Sequence, residues 1–293
     1  MKKLITLSAV LALLCTLSCQ KHTTSEPDWS KRYHEQNTQP KEPGQIKVMT
    51  FNIRGHNDND GAFNHWAVRA EAVKTAVEVQ KPAILGWQEI TDKQWPYLEA
   101  TLLPFGYAAL DDIDKKNVVM FNPAVIEVEE QGLYWLTDHP EIMSDSWDGY
   151  IRYVRWAVMR LKDTGKRFFY MNTHLGLTSD SRYKALNLIL KRIPMYNTEN
   201  LPMVFMGDLN TRPEDTVFDE LKKTMASTRE IAPITDDVAT YNAWGNIAKE
   251  YICDYIFISK DTIECSEYRT VTIPYEGHTY VSDHFPVYAI IKF

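Results

Sequence analysis

Cysteine is too scarce to build a scaffold. Of four cysteines in 293 residues, only Cys253 and Cys265 lie beyond the first 19 positions, which excludes a dense disulfide framework. Both fall in or beside apolar segments, where buried free thiols are a plainer account than a bridge. Basic charge is lacking too. A net charge of −7 excludes the chain-wide positive signature of a non-specific nucleic-acid binder and leaves room only for a local groove. The single long apolar run, residues 4–17, is too short to span a bilayer comfortably, and no second one follows. There is no internal repeat, no linker after the N-terminal region and no heptad pattern, so a monomer is the default. What is present, 44% hydrophobic and 24% charged residues, is the composition of an ordinary globular protein.

The N-terminus carries Lys2 and Lys3, the apolar run, then Ser18-Cys19-Gln20, the layout of a secretory signal. The stretch ending at Cys19 resembles a bacterial lipobox, with Thr16 where leucine is commonest. That resemblance implies that Cys19 is lipidated and becomes the first mature residue of an extracytoplasmic, membrane-anchored lipoprotein; the alternative is a secreted protein cut nearby. Residues 20–44 are polar, with Pro27, Pro40 and Pro43, as expected of a flexible tether. Residues 45–293 then read as one domain, at the upper end of what a single core sustains.

Within that domain, short apolar runs alternate with helical patterns. Residues 46–53 and 83–87 read as strands, and Trp66, Ala70, Val73 and Val77 recur at helical spacing until Pro82. Further helices are expected at 91–103, 179–193 and 214–223. Strands are expected at 118–121, 125–136, 153–161, 168–172, 203–206, 251–258 and 285–293. Short connections between the middle strands favour antiparallel pairing, and helical crossovers favour sheets covered on their outer faces. The result is an α/β or α+β sandwich of mixed sheets.

Polar residues interrupt this pattern where core strands end. Asn52, Gln88-Glu89, Asn172-Thr173-His174 and Gly207-Asp208-Leu209-Asn210 each close a strand, Asp254 lies inside an apolar run, and Ser282-Asp283-His284 opens the last strand. Each piece alone suits a turn or a satisfied hydrogen-bonding pair. Asp254 differs, because a carboxylate between Cys253 and Tyr255 in a strand needs a cation or donor to offset its desolvation. If the last strand is antiparallel to its neighbours, one site collects all of these residues.

Thr50-Phe51-Asn52, Trp87-Gln88-Glu89, Asn172-Thr173-His174-Leu175, Gly207-Asp208-Leu209-Asn210, Asp254-Tyr255-Ile256-Phe257 and Ser282-Asp283-His284-Phe285-Pro286, taken in order, closely resemble the endonuclease/exonuclease/phosphatase superfamily. Cys253 stands where many relatives have isoleucine. The resemblance implies a four-layer α/β/β/α sandwich with its site at one end, and a phosphoester hydrolase that drives water in line at phosphorus. An oxygen-rich ligand set without thiolates points to Mg²⁺ or Mn²⁺. By resemblance Glu89 is the principal metal ligand, with Asn52 and Asp283 beside it. Asp208 orients and deprotonates the water, and Asn210 donates to the phosphoryl oxygen. His284 contacts the phosphate as imidazolium oriented by Asp254, and His174 contacts the phosphate or helps protonate the leaving group. Arg152 and Asn172 are candidate phosphate contacts, Arg152 having a structural ion pair as its alternative. Arg182 reads as a framework residue, and Trp135, Trp147 and Tyr150 as core or as an aromatic rim. The substrate class stays open among sugar or inositol phosphates, lipid headgroups of the sphingomyelinase kind and nucleic acid. A catalytically silent binding lipoprotein is the competing reading.

Overall fold

The first strand, β1 (Gln45–Asn52), is buried along nearly its whole length, so its side chains divide between two apolar environments instead of between core and water. Val48 faces a cluster shared with a second sheet, while Met49 and Phe51 face helices. The computed structural model describes residues 33–111 and 115–293. In the first six-stranded sheet the order is β11 (Glu264–Thr270), β12 (Val287–Lys292), β1, β2 (Ile84–Gln88), β4 (Val119–Phe121) and β3 (Ala108–Ala109). In the second it is β5 (Ile126–Trp135), β6 (Tyr153–Leu161), β7 (Arg167–His174), β8 (Met203–Asp208), β10 (Asp254–Ser259) and β9 (Met225–Ser227).

Each sheet has one parallel pair whose strands are joined by a crossover helix. Helix α1 (Trp66–Gln80) links β1 to β2, and α3 (Ser179–Tyr196) links β7 to β8. Helix α1 starts on His65, which accepts from the Ala67 N–H, and ends on left-handed Lys81 just before Pro82. Its apolar stripe, Ala70, Val73 and Val77, packs with Leu98 and Leu102 of α2 (Trp95–Leu102) over the first sheet. Ala185, Leu186 and Ile189 of α3 cover Trp156, Phe169 and Phe205 of the second. Val48, Ile84 and Ala289 meet Met159, Tyr170 and Ile256 between the sheets. The four layers are helix, sheet, sheet and helix, as the family resemblance implies.

Two expectations need correction, and one long strand lies outside those expected. Residues 214–223 form two short 3₁₀ turns, Thr216–Phe218 and Leu221–Lys223, because Asp215 accepts from the Val217 N–H and starts a tight turn there, with Phe218 and Leu221 as the buried anchors. Strand β11 went unread because it lies at a sheet edge and carries polar residues along much of its length. Residues 36–44 are not a free tether. The Gln36 side chain bonds Thr272, Thr38 donates to Glu267, and the Gln39 side chain donates to the Gln80 carbonyl. These contacts sit over Lys47, which is fully buried and donates to the Gln80 carbonyl and side chain. Cys19 lies outside the described residues. Cys253 and Cys265 are free thiols.

Candidate active site

Strand register fixes the site. Asn52 pairs with Gln88 at the ends of parallel β1 and β2, and His174 pairs with Asp208 at the ends of parallel β7 and β8. Antiparallel β10 begins with Asp254 opposite Asp208, and antiparallel β12 begins with Val287 opposite Thr50, so both strands start where the others stop. At this edge lies a cleft of about 500 Å³ whose lining includes Glu89, His174, Asp208, Asn210, Asp283 and His284. Three residues here adopt left-handed backbone, Arg54 (φ 58°), Glu89 (φ 66°) and Asn210 (φ 48°). Such conformations cost on the order of 1 kcal/mol each without glycine, and they aim side chains that a regular strand end would not.

Glu89 is fixed from two sides. Its Oε1 accepts from the Asn52 amide at 3.1 Å and its Oε2 from the Gly55 N–H at 3.0 Å. Burial works against its charge, but the Gly55 N–H, the His284 imidazolium and Asn52 together hold the carboxyl below its ordinary range. The Asn52 amide also donates to Asp208 Oδ2 at 2.9 Å, and its own oxygen accepts from the Arg54 N–H. As placed, Asn52 braces two carboxylates, and the ligand role expected for it requires the opposite amide orientation.

The second half of the cleft is a chain of acid and imidazole. His284 Nδ1 lies 2.9 Å from Asp254 Oδ2, and its Nε2 lies 3.8 Å from Asp208 Oδ2. Burial opposes the imidazolium, yet Asp254, Asp208 and Asp283 outweigh it and lift His284 to about 10. Asp254 therefore has the partner that its buried position demands. Asp208 is pushed up, first by burial and next by Asp254. His174 Nε2 lies 3.4 Å from Asp208 Oδ2, and burial with the nearby Arg152 pushes its basicity down, so it is neutral. A neutral imidazole gives a hydrogen bond more readily than a proton, so of the two histidines His284 is the one that carries acid. The Asn210 amide donates to the Leu175 carbonyl, which keeps its NH₂ group at the cleft wall.

Glu89, Asp208 and Asp283 all offer carboxylate oxygens, and burial with the nearby Glu89 raises Asp283. Like charges gathered without sulfur suit a hard divalent cation. A different set of ligand atoms, from Asp208, Cys253, Asp254 and His284, lies mutually within 4.8 Å. That set is a poorer cage. Its His284 Nδ1 is occupied by Asp254, and Cys253 sits behind Asp254 with its thiol pushed well up by burial.

Two expected phosphate contacts fare differently. Arg152 lines the cleft and also holds Asp148 Oδ2 at 3.2 Å, so the ion pair and the cleft position coexist. Asn172 does not reach the cleft. It is wholly buried, donates to the Trp87 carbonyl and accepts from Gln88, so its amide braces one sheet against the other. Of the expected aromatic rim only Tyr150 lines the cleft, while Trp135 packs edge-on against Tyr153 at 5.2 Å.

Sequence reasoning missed several contributors. Tyr241 stands edge-on to His284 at 5.0 Å, and with Arg54, Lys116 and Tyr251 it completes the wall. Arg69, buried in α1, donates to the carbonyls of Ile53, Arg54 and Val281 and so ties together the loops that carry Gly55 and Asp283. A charge next to an apolar helical stripe was the available signal for Arg69; the tyrosines had none.

The sequence profile of the Endonuclease/Exonuclease/phosphatase family matches residues 49–284. No curated protein sequence matches significantly. Among solved structures, an endonuclease/exonuclease/phosphatase family protein from Bacteroides thetaiotaomicron is 24% identical, with 86% of this chain and 99% of that one covered and a TM-score of 0.75. A mannosyl-6-phosphatase from Bacteroides thetaiotaomicron is 23% identical, with 85% and 100% covered and a TM-score of 0.74. TDP2 from D. rerio, complexed with a single-strand DNA product, is 17% identical, with 85% and 99% covered and a TM-score of 0.65. At these identities the likeness is one of fold.

Proposed function

The chain belongs to the endonuclease/exonuclease/phosphatase family, and we propose that it is a divalent-metal-dependent hydrolase of small phosphoesters. One observation carries the reading: strand ends distant in sequence bring Glu89, Asp208, Asp283 and His284 to a single cleft. Glu89 and Asp283 would hold Mg²⁺ or Mn²⁺, and Asn52 would join them with its amide turned the other way. The ion supplies Lewis-acid polarisation of the phosphoryl oxygens and offsets charge on the leaving oxygen.

The remaining work falls to the chain itself. Asp208, raised by burial and by Asp254, is a carboxylate basic enough to orient and deprotonate water. His284, held as imidazolium by Asp254, donates toward the phosphate, and the Asn210 and His174 N–H groups add neutral donors. In-line attack of that water at phosphorus breaks the ester bond with no covalent enzyme intermediate: Asp208 takes the water's proton, and the leaving oxygen departs as an alcohol protonated from His284. A cleft of about 500 Å³ suits a small substrate, and the net charge of −7 disfavours a polynucleotide. Sugar phosphates fit both facts, and one structural neighbour is a mannosyl-6-phosphatase. We further place the enzyme outside the cytoplasm on a lipid at Cys19. Cys19→Ala is expected to release it from the membrane fraction, and unchanged sedimentation with membranes overturns that assignment.

The decisive test uses a soluble form that retains Gln36 and everything after it. With Mg²⁺ it should hydrolyse a sugar phosphate, and Asp208→Ala should lower kcat by about 10²–10⁴-fold. Turnover in chelator equal to that in Mg²⁺, or full activity in the variant, overturns the proposal. Metal binding with no turnover on sugar phosphates, phosphodiesters or lipid headgroups establishes the silent binding protein instead.

A further inference from the structure

Beyond Asn210 the cleft continues into a second hollow of about 370 Å³, walled by Leu177, Arg182, Asn210, Arg212, Glu214, Asp215 and Tyr251. Leu177, Asn210 and Tyr251 border both spaces, so the two lie side by side along the same edge. Arg212 dominates the second space. Its guanidinium centre lies 4.9 Å over the Tyr251 ring, and among the described residues no carboxylate lies within ion-pair distance of it. A guanidinium held over a ring and without a carboxylate partner has N–H groups to offer a planar, bidentate anion.

The neighbouring charges limit what enters. Arg182, in the first turn of α3, spends two nitrogens on the Leu177 carbonyl and Ser179, stands 3.9 Å from Asp215, and leaves a buried Nε with no partner. Asp215 accepts from the Val217 N–H and is already engaged with the turn that follows. Glu214 is exposed and has no cationic partner among the described residues, so it opposes any anion beyond the one that Arg212 takes. Arg212 is two residues from Asn210, a span of at most about 7 Å. Both residues border the same hollow, and Asn210 and Tyr251 border the catalytic cleft as well, so an anion on the Arg212 guanidinium and a phosphate at Asn210 are neighbours along one edge.

We propose that Arg212 is a specificity residue that binds a second phosphate of the substrate whose scissile phosphate lies in the catalytic cleft. The preferred substrates are then sugar bisphosphates or short nucleotides in place of simple monoesters. The inference rests on the phosphoesterase reading above and deepens it.

Steady-state kinetics with Mg²⁺ should compare a hexose 6-phosphate, the corresponding hexose 1,6-bisphosphate and a dinucleotide on the native protein and on Arg212→Ala. One bidentate charge-assisted contact is worth about tenfold in affinity. The bisphosphate KM should be about tenfold below the monophosphate KM, and Arg212→Ala should bring that ratio close to one. A matching loss on the dinucleotide alone identifies a nucleotide as the source of the second phosphate. Equal KM values for mono- and bisphosphate in the native protein together with a dinucleotide KM indifferent to Arg212→Ala, or a bisphosphate ratio that Arg212→Ala leaves intact, overturns the proposal. Calorimetric binding of the bisphosphate to Asp208→Ala, with and without Arg212→Ala, reads the same subsite without turnover. Failure of the catalytic reading shows as no hydrolysis, whereas failure of this inference shows as hydrolysis or binding indifferent to Arg212.

Discussion

His284 and Asp254 are both nearly inaccessible to solvent, and neither side chain would be tolerable in its position alone. The pair makes a prediction about stability that is independent of catalysis. Free histidine titrates near 6.5, and Asp254, Asp208 and Asp283 overcome burial to lift His284 to about 10. A folded-state value raised above the unfolded one stabilises fully below about pH 6.5, fades above it, and is lost as pH rises through about 10. Asp254→Asn removes the charge but keeps the shape. Urea unfolding in chelator should show it less stable by about 3 kcal/mol near pH 6. The gap from the native protein should close toward pH 10.5 and beyond, on the order set by the same linkage. A gap that stays constant with pH assigns the loss to packing and refutes the ion pair as its source.

Strand β7 shows how an element can be legible while one of its side chains is misread. Hydrophobic runs located nearly every long strand and helix, because burial on both faces leaves a continuous apolar signature. Those runs could not show that Asn172 points between the sheets instead of along the strand toward the cleft. The partner that makes room for it is Gly86 on β2, where a Cβ would lie 2.3 Å from Asn172 Oδ1. Gly207 on β8 has a related part. At φ 147° a Cβ there would meet the Thr173 carbonyl oxygen at 1.9 Å, so only glycine lets β8 approach β7 closely enough to set Asp208 beside His174. Asn172→Ala should therefore behave as a structural change. It strands the Trp87 carbonyl and a Gln88 N–H, which costs about 1–3 kcal/mol in urea unfolding. A KM increase with unchanged stability would return Asn172 to the list of phosphate contacts.

Across the whole chain, the order of the polar strand ends carried the site and the fold, while the loops between them carried what sequence did not reveal. Arg54, Tyr241 and Tyr251 reach the cleft from irregular segments whose direction no periodicity encodes. The consequence of the convergence is electrostatic. An acidic protein concentrates Glu89, Asp208 and Asp283 at one edge, and those carboxylates repel one another unless a cation joins them. A cation that binds the folded state alone must stabilise it, by about 2.7 kcal/mol at a hundredfold excess over Kd. For a domain of this size that is a rise in Tm of roughly 5–10 °C. Thermal unfolding in saturating Mg²⁺ should show this rise relative to chelator, whereas NaCl of equal ionic strength should not. Glu89→Gln keeps a hydrogen-bonding side chain between Asn52 and Gly55 but removes the charge, so it should abolish most of the Mg²⁺ increment. If that variant gains as much from Mg²⁺ as the native protein does, the cation binds elsewhere and Glu89 is not its ligand.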